Sequence, residues 1–237
     1  MPLFEHVEEQ VAVGMFDRGL IGFPEGGRAL KSGRLSPYYY NSRQSLSLNR
    51  KLDRSGKMSI ERQLEFRRVL AGAYATKFLE IETSFDHVFG KAQAATASAG
   101  VGAFVAGLSY LWERIDEPHK NYGSHEKIEG DYERGEQILM ADNVITDGQS
   151  KKEGSATLQA VDLVPVAVTM EFDREEGGVQ TLEGEGYGFE VNAVTGLSNA
   201  ARFLLDNGRI DNEAIDALHA YHEGLRADGL VTTFNMN

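Results

Sequence analysis

Short apolar runs that read as buried strands alternate along this chain with stretches of helical periodicity, and no other feature restricts the fold as much. "FDHVFG" at 85–90 and the runs at 137–141 and 163–172 are the strand candidates. Phe4, Val7, Val11 and Met15 recur at spacings of three and four, as do Phe66, Val69, Leu70 and Ala73, so helices are expected over 3–18 and 59–79. A run of small residues at 92–107 suits a helix packed closely on a sheet, and another helix is expected over 149–161. Strands and helices in alternation imply an α/β fold with a doubly wound, mostly parallel sheet. Two more helices, 197–205 and 212–227, close the pattern.

Composition narrows the function. With 237 residues, 41% of them hydrophobic, the chain can bury the core of one α/β domain. Twenty-four basic against thirty-six acidic residues leave a net charge of −12, which argues against a non-specific nucleic-acid surface. The absence of cysteine excludes disulfides and thiolate metal sites. No apolar run approaches the roughly 20 residues of a membrane span. The first residues lack the basic and apolar segments of a secretory signal, so the expectation is a cytoplasmic protein without membrane or nucleic-acid partners.

The stretch "ILMADNVITDGQSKKEG" at 138–154 reads as a buried strand, a polar turn and a helix. In an open α/β sheet ligands sit at the carboxyl ends of strands, where a helix N-terminus presents unpaired N–H groups. Thr146 and Ser150 add hydroxyls there, and Gly148 lets the backbone turn and approach an anion. Asp142, expected at the strand's end, can accept hydrogen bonds from sugar hydroxyls or hold hydrated magnesium. Phosphate on one side and a diol on the other point to a phosphorylated ribose. Simple helix capping produces the same residue types, and spacing alone does not decide between the two.

"LMADNVITDGQS" resembles the phosphoribosyl-diphosphate signature of type I phosphoribosyltransferases. Three further stretches are similar to one branch of that family, the orotate phosphoribosyltransferases: "ALKSGRLSPYYYNSR" at 29–43, "KNYGSHEKIEG" at 120–130 and "FDREEGG" at 172–178, all in family order. The resemblance implies a single phosphoribosyltransferase domain over 1–237, with an N-terminal hood to about 50, a core over about 58–195 and C-terminal helices over about 196–228. It also implies transfer of phosphoribosyl from its diphosphate to orotate, with magnesium, in a homodimer. "ALKSGRLSPYYYNSR" is expected to form two short strands around a turn near Ser32 and Gly33. Residues 113–134, polar and broken by Pro118, Gly123 and Gly130, are expected to be a long loop or flap.

The resemblance assigns roles. Lys120 and Asp142 would be catalytic. Thr146, Asp147, Gly148, Gln149 and Ser150 would cradle the 5′-phosphate, Asn143 would join Asp142 at the ribose hydroxyls, and Arg174 would meet the orotate edge. Lys31, Tyr38 and Tyr39 would lie against the substrates. The chain also departs from the pattern. One acid of the usual pair is Asn143; Gln93, Ala94 and Ala95 stand where a Tyr-Lys-Gly run is usual; Asp116 and Glu117 replace a basic pair, and Tyr122 a histidine. Arg114, Lys91 or His119 could supply the missing charge. A binding protein that has lost pyrophosphate chemistry, or a transferase for another base, are the alternatives.

Weaker features have bland readings. His219 and His222 are three apart but lack a third ligand, so solvated surface histidines are expected. "EGEGYGFE" at 183–190 lacks a following Lys-Ser or Lys-Thr and is expected to be a hairpin turn. Asp173 and Glu175 are expected to orient Arg174.

Overall fold

Residues 6–30, 33–91, 93, 95–114 and 127–236 are described by the structure, a computed structural model. Helix α1 (Val7–Asp17) buries Val11, Ala12 and Met15, one face of the expected apolar stripe. Four two-residue strands follow: β1 (Ile21–Gly22), β2 (Arg28–Ala29), β3 (Leu35–Ser36) and β4 (Tyr39–Tyr40). β1 pairs antiparallel with β4, and β2 with β3. The short helix α2 (Arg50–Arg54) is capped by the Asn49 side chain, which accepts from the N–H groups of Lys51 and Leu52. Ser59 caps α3 (Ile60–Leu79) in the same way, through the N–H of Arg62.

The central sheet then builds up through β5 (His87–Gly90), α4 (Thr96–Ala106), β6 (Ser109–Glu113), β7 (Ile128–Glu129), β8 (Gln137–Ile145), α5 (Gln149–Gln159), β9 (Val164–Asp173), α6 (Gly178–Gly184) and β10 (Glu190–Gly196). Helices α7 (Leu197–Asp206) and α8 (Asn212–Ala227) complete the order. Six strands form the sheet in the order β10-β9-β8-β5-β6-β7, all parallel except β7, which turns back along β6. Alternation along β8 places Leu139 and Ala141 in the core under α1, α3 and α4, and Ile138 and Met140 in the core under α5 and α6. Strands β5, β8 and β9 are buried on both faces, which is why they read as near-continuous apolar runs.

Sequential strands run outward from β5 in both directions, to β6 on one side and to β8 and β9 on the other. The order therefore reverses between β5 and β8, and the crevice outside their carboxyl ends is where such a sheet binds ligands.

Three expectations are corrected. β8 continues to Ile145, paired with Asp173 of β9, so Asp142 lies within the ladder rather than at its end. The hairpin over 183–190 does not form. Gly186 and Gly188, at φ 74° and 66°, turn the chain from α6 into β10, which runs parallel to β9; glycine-rich turns serve both connections. His222 is fully buried, with its ring stacked on Phe234 at 4.4 Å. The Thr232 hydroxyl gives its proton to the carbonyl of Glu175 (2.6 Å), so Nδ1 of His222 donates to that hydroxyl at 2.6 Å. Burial and the nearby Arg226, Arg174 and His219 lower the His222 pKa to about 4, and the ring is neutral.

Candidate active site

The crevice is built first by the turn from β8 into α5. Gly148 takes φ 80°, and a Cβ there would stand 3.1 Å from Leu182 and 3.2 Å from the carbonyl of Gly178, so glycine is favoured by both the backbone and the tight fit. The Asp147 carboxylate accepts from the N–H of Gln149 at 3.0 Å, which fixes the entry to the helix. Gly178 is required for a related reason: a Cβ would lie 2.6 Å from the carbonyl of Thr146, so its absence lets α6 dock beside the turn. The N-terminus of α5, the positive end of its helix dipole, follows the carboxyl end of β8 through this turn, with the Gln149 N–H taken by Asp147.

Asp142 lies just behind this turn and is nearly buried. Its Oδ1 accepts from the Asn143 N–H (2.7 Å), and Oδ2 accepts from the Ser150 hydroxyl (2.9 Å) and the Lys151 ammonium (2.8 Å). Lys151 also reaches Ser150 Oγ at 3.1 Å and the Val144 carbonyl. Asn143 donates its amide to Ser42 Oγ at 3.0 Å, linking β8 to the 3-10 turn that follows β4. Among the described residues no cluster of three or more His, Asp or Glu could hold a metal ion. Asp142 is already paired with the Lys151 ammonium, so these residues do not fit a protein-held magnesium.

A second cluster sits where β9 leaves the sheet. The Arg174 N–H donates to the Ile145 carbonyl (3.2 Å), which sets this residue beside the 146–150 turn. Its guanidinium lies over the Tyr38 ring, 4.6 Å from the centroid, and Nε donates to Glu176 Oε1 at 2.9 Å. The same Oε1 accepts from Tyr38 (3.1 Å) and Tyr221 (3.2 Å). Arg174 Nη2, though 2.8 Å from Glu176, is buried and makes no hydrogen bond of acceptable geometry among the described residues. Burial, opposed by Arg174 and reinforced by Glu176, pushes the Tyr38 hydroxyl well above the ordinary phenol range. Glu176 is thus the residue that orients Arg174, and the expectation for Asp173 and Glu175 is corrected. Asp173 accepts from the Glu175 N–H, and Glu175, at φ 58°, turns away to the N–H and hydroxyl of Ser198.

The structure brings Asp142, Asn143, the 146–150 turn, Tyr38 and Arg174 to one end of the sheet. Tyr39 points elsewhere: its ring packs against Gly22 and under Arg28, 5.2 Å from the guanidinium carbon. Tyr40 takes the inward position, stacked on Phe172 at 4.5 Å and donating to the buried Glu171 at 2.6 Å. Lys91, at the end of β5, holds both oxygens of Glu113 at 2.7 and 2.8 Å, and Arg114 lies 3.5 Å from Glu129. Lys31, Ala94, Asp116, Glu117, His119, Lys120 and Tyr122 lie outside the described residues. Lys151, Glu171 and Glu176 were not marked by the sequence. A lysine in the first turn of a helix reads as solvated, and only contacts across the fold reveal otherwise.

Fold and crevice together define the chain as having the architecture of the type I phosphoribosyltransferases. Within that class its likeness is to orotate phosphoribosyltransferases: the enzyme of Thioalkalivibrio sulfidiphilus is 29% identical over 217 residues, 86% of this chain and 91% of that one. The orotate phosphoribosyltransferase of Francisella tularensis superposes with a TM-score of 0.68 at 19% identity, covering 90% of this chain and 96% of its own. The UMP synthase of Leishmania donovani superposes at 0.71 with 22% identity over 92% of this chain, which spans 42% of that longer protein. No protein-family model matches the chain.

Proposed function

We propose that this chain is an orotate phosphoribosyltransferase, joining the ring nitrogen of orotate to the anomeric carbon of phosphoribosyl diphosphate and releasing pyrophosphate, with orotidine 5′-monophosphate as product. The observation that carries the reading is Arg174. A buried guanidinium with an N–H left over, held by Glu176 and Tyr38 beside a phosphate-binding turn, is built to pair with an anionic planar base. The curated relatives bear the same activity in their names.

Positive charge grows at the anomeric carbon as pyrophosphate departs, so the protein's work is to position two anions and stabilise the leaving group. Thr146 to Ser150 would hold the 5′-phosphate through the N–H groups of α5, and Asp142 and Asn143 the ribose hydroxyls. Lys120 would serve the departing pyrophosphate, by resemblance. Magnesium, also implied by the resemblance, would ride on the diphosphate oxygens and neutralise them. Tyr39 and Lys31 belong to this reading only through the resemblance. A single domain over residues 1–237 and a cytoplasmic location go with it; no helix among the described residues is long and apolar enough to cross a membrane.

A homodimer is supported by α4, where Val101, Phe104 and Val105 present an exposed apolar face at spacings of three and four. One observation favours a second reading, a nucleotide-binding relative without turnover. Lys91, the described cation best placed for pyrophosphate, is held by Glu113. Calorimetry with orotidine monophosphate tests the pocket: binding is expected, and Arg174→Ala should weaken it by about 10- to 100-fold. Equal binding by both proteins would remove Arg174 from the base site.

A further inference from the structure

Lys151 is 2% exposed in its side chain and Asp142 10%, so the ammonium is closed to bulk water while the carboxylate keeps a narrow exposed edge. The ammonium has three N–H donors and three acceptors: Asp142 Oδ2, Ser150 Oγ and the Val144 carbonyl. It has none left for a substrate, so Lys151 acts through the groups it holds, of which Asp142 alone carries a charge. The carboxylate offers about four lone-pair positions. Lys151 and Ser150 take the two on Oδ2, and the Asn143 N–H takes one on Oδ1. Among the described residues nothing takes the remaining position on Oδ1, which is enough for a single hydroxyl. A divalent cation added to this carboxylate would meet an ammonium 2.8 Å from its other oxygen, with no second acid at position 143 to offset it.

We propose that Lys151 is a positioning residue that takes the place of a metal's charge at Asp142: it pins Oδ2, aims Oδ1 at one ribose hydroxyl, and lets the phosphoribosyl end of the site bind without a divalent cation. The proposal rests on the reading of the 146–150 turn as the phosphate cradle. It confines magnesium to the diphosphate end.

Ribose 5-phosphate, which carries no diphosphate, is the probe, titrated calorimetrically in EDTA and in magnesium. The unaltered protein should bind it with the same Kd in both. Lys151→Met should weaken binding about tenfold in EDTA and regain part of the loss in magnesium, because the freed carboxylate can then recruit the metal. Should that variant fail to fold, Asp142→Asn with Lys151→Met removes both charges together. It should bind weakly and ignore magnesium, and undiminished affinity would overturn the proposal. Binding by the unaltered protein that EDTA abolishes, or a Lys151→Met variant indistinguishable from it, would also overturn it. No binding of ribose 5-phosphate in either condition would instead contradict the phosphate-cradle reading, and the proposal would fall with it.

Discussion

The guanidinium of Arg174 lies 4.6 Å from the centroid of the Tyr38 ring, and both side chains are buried. A charge held face-on over an aromatic ring, away from water, gains up to about 2 kcal/mol and loses the freedom to swing. The N-terminal strands thereby steady a residue that leaves the sheet more than a hundred positions later. Tyr38→Phe keeps the ring and loses only the hydroxyl bond to Glu176, so its affinity for orotidine monophosphate should fall less than about threefold. Tyr38→Ala should cost about 3–5 kcal/mol of stability in urea unfolding and at least tenfold in affinity.

The proposed phosphate turn depends on Gly148. Alanine there must adopt a left-handed backbone, at about 1–2 kcal/mol, and push against Leu182 on α6. Gly148→Ala should lower stability by that amount and weaken ribose 5-phosphate binding, measured by calorimetry, more than it weakens orotate binding.

Glu171 gives stability a pH dependence. Burial, opposed by hydrogen bonds from Tyr40, Tyr74 and Ser98, raises its pKa from 4.5 to about 7. The bonding agrees with a protonated acid. Tyr74 has one hydroxyl proton but lies within reach of both the Asp142 carbonyl (3.3 Å) and Glu171 Oε2 (3.2 Å), and an Oε2–H resolves the shortage. Between about pH 4.5 and about pH 7 the unfolded chain releases this proton while the folded protein keeps it, so the Glu171 contribution to stability falls as pH rises through that window, opposed by His222, whose lowered pKa makes its contribution rise between about pH 4 and 6.5. Glu171→Gln should remove the falling component, so that Tm rises more with pH through this window than in the parent; an unchanged slope would show that the group titrates elsewhere.

Phe104 is 84% exposed on α4, between Val101 and Val105. If this face joins two copies, light scattering should give about twice 26.1 kDa for the parent and one chain mass for Phe104→Arg, with stability of the fold little changed.

The parallel sheet was legible because β5, β8 and β9 are buried on both faces and carry unbroken apolar runs, and because caps such as Ser59 mark where helices begin. The turn at 146–150 was legible for the same local reason. What escaped were groups whose meaning lies in distant partners. Glu171 meets Tyr40 and Tyr74 across 131 and 97 positions of chain, and Tyr38 meets Glu176 across 138. Lys151 escaped although Asp142 is only nine positions away, because a strand end and a helix start must fold together before the two face each other. The choice among Asp173, Glu175 and Glu176 as the partner of Arg174 turned on one residue, Glu175, leaving extended backbone.

The central claim is tested most directly by following the ultraviolet absorbance of orotate with phosphoribosyl diphosphate and magnesium, while measuring orotidine monophosphate binding on the same sample. The account predicts loss of the orotate signal that requires the diphosphate, stops on Arg174→Ala and yields orotidine monophosphate. Tight nucleotide binding with an unchanging orotate signal would contradict it, and would leave a pocket that has kept its ligand and lost its reaction.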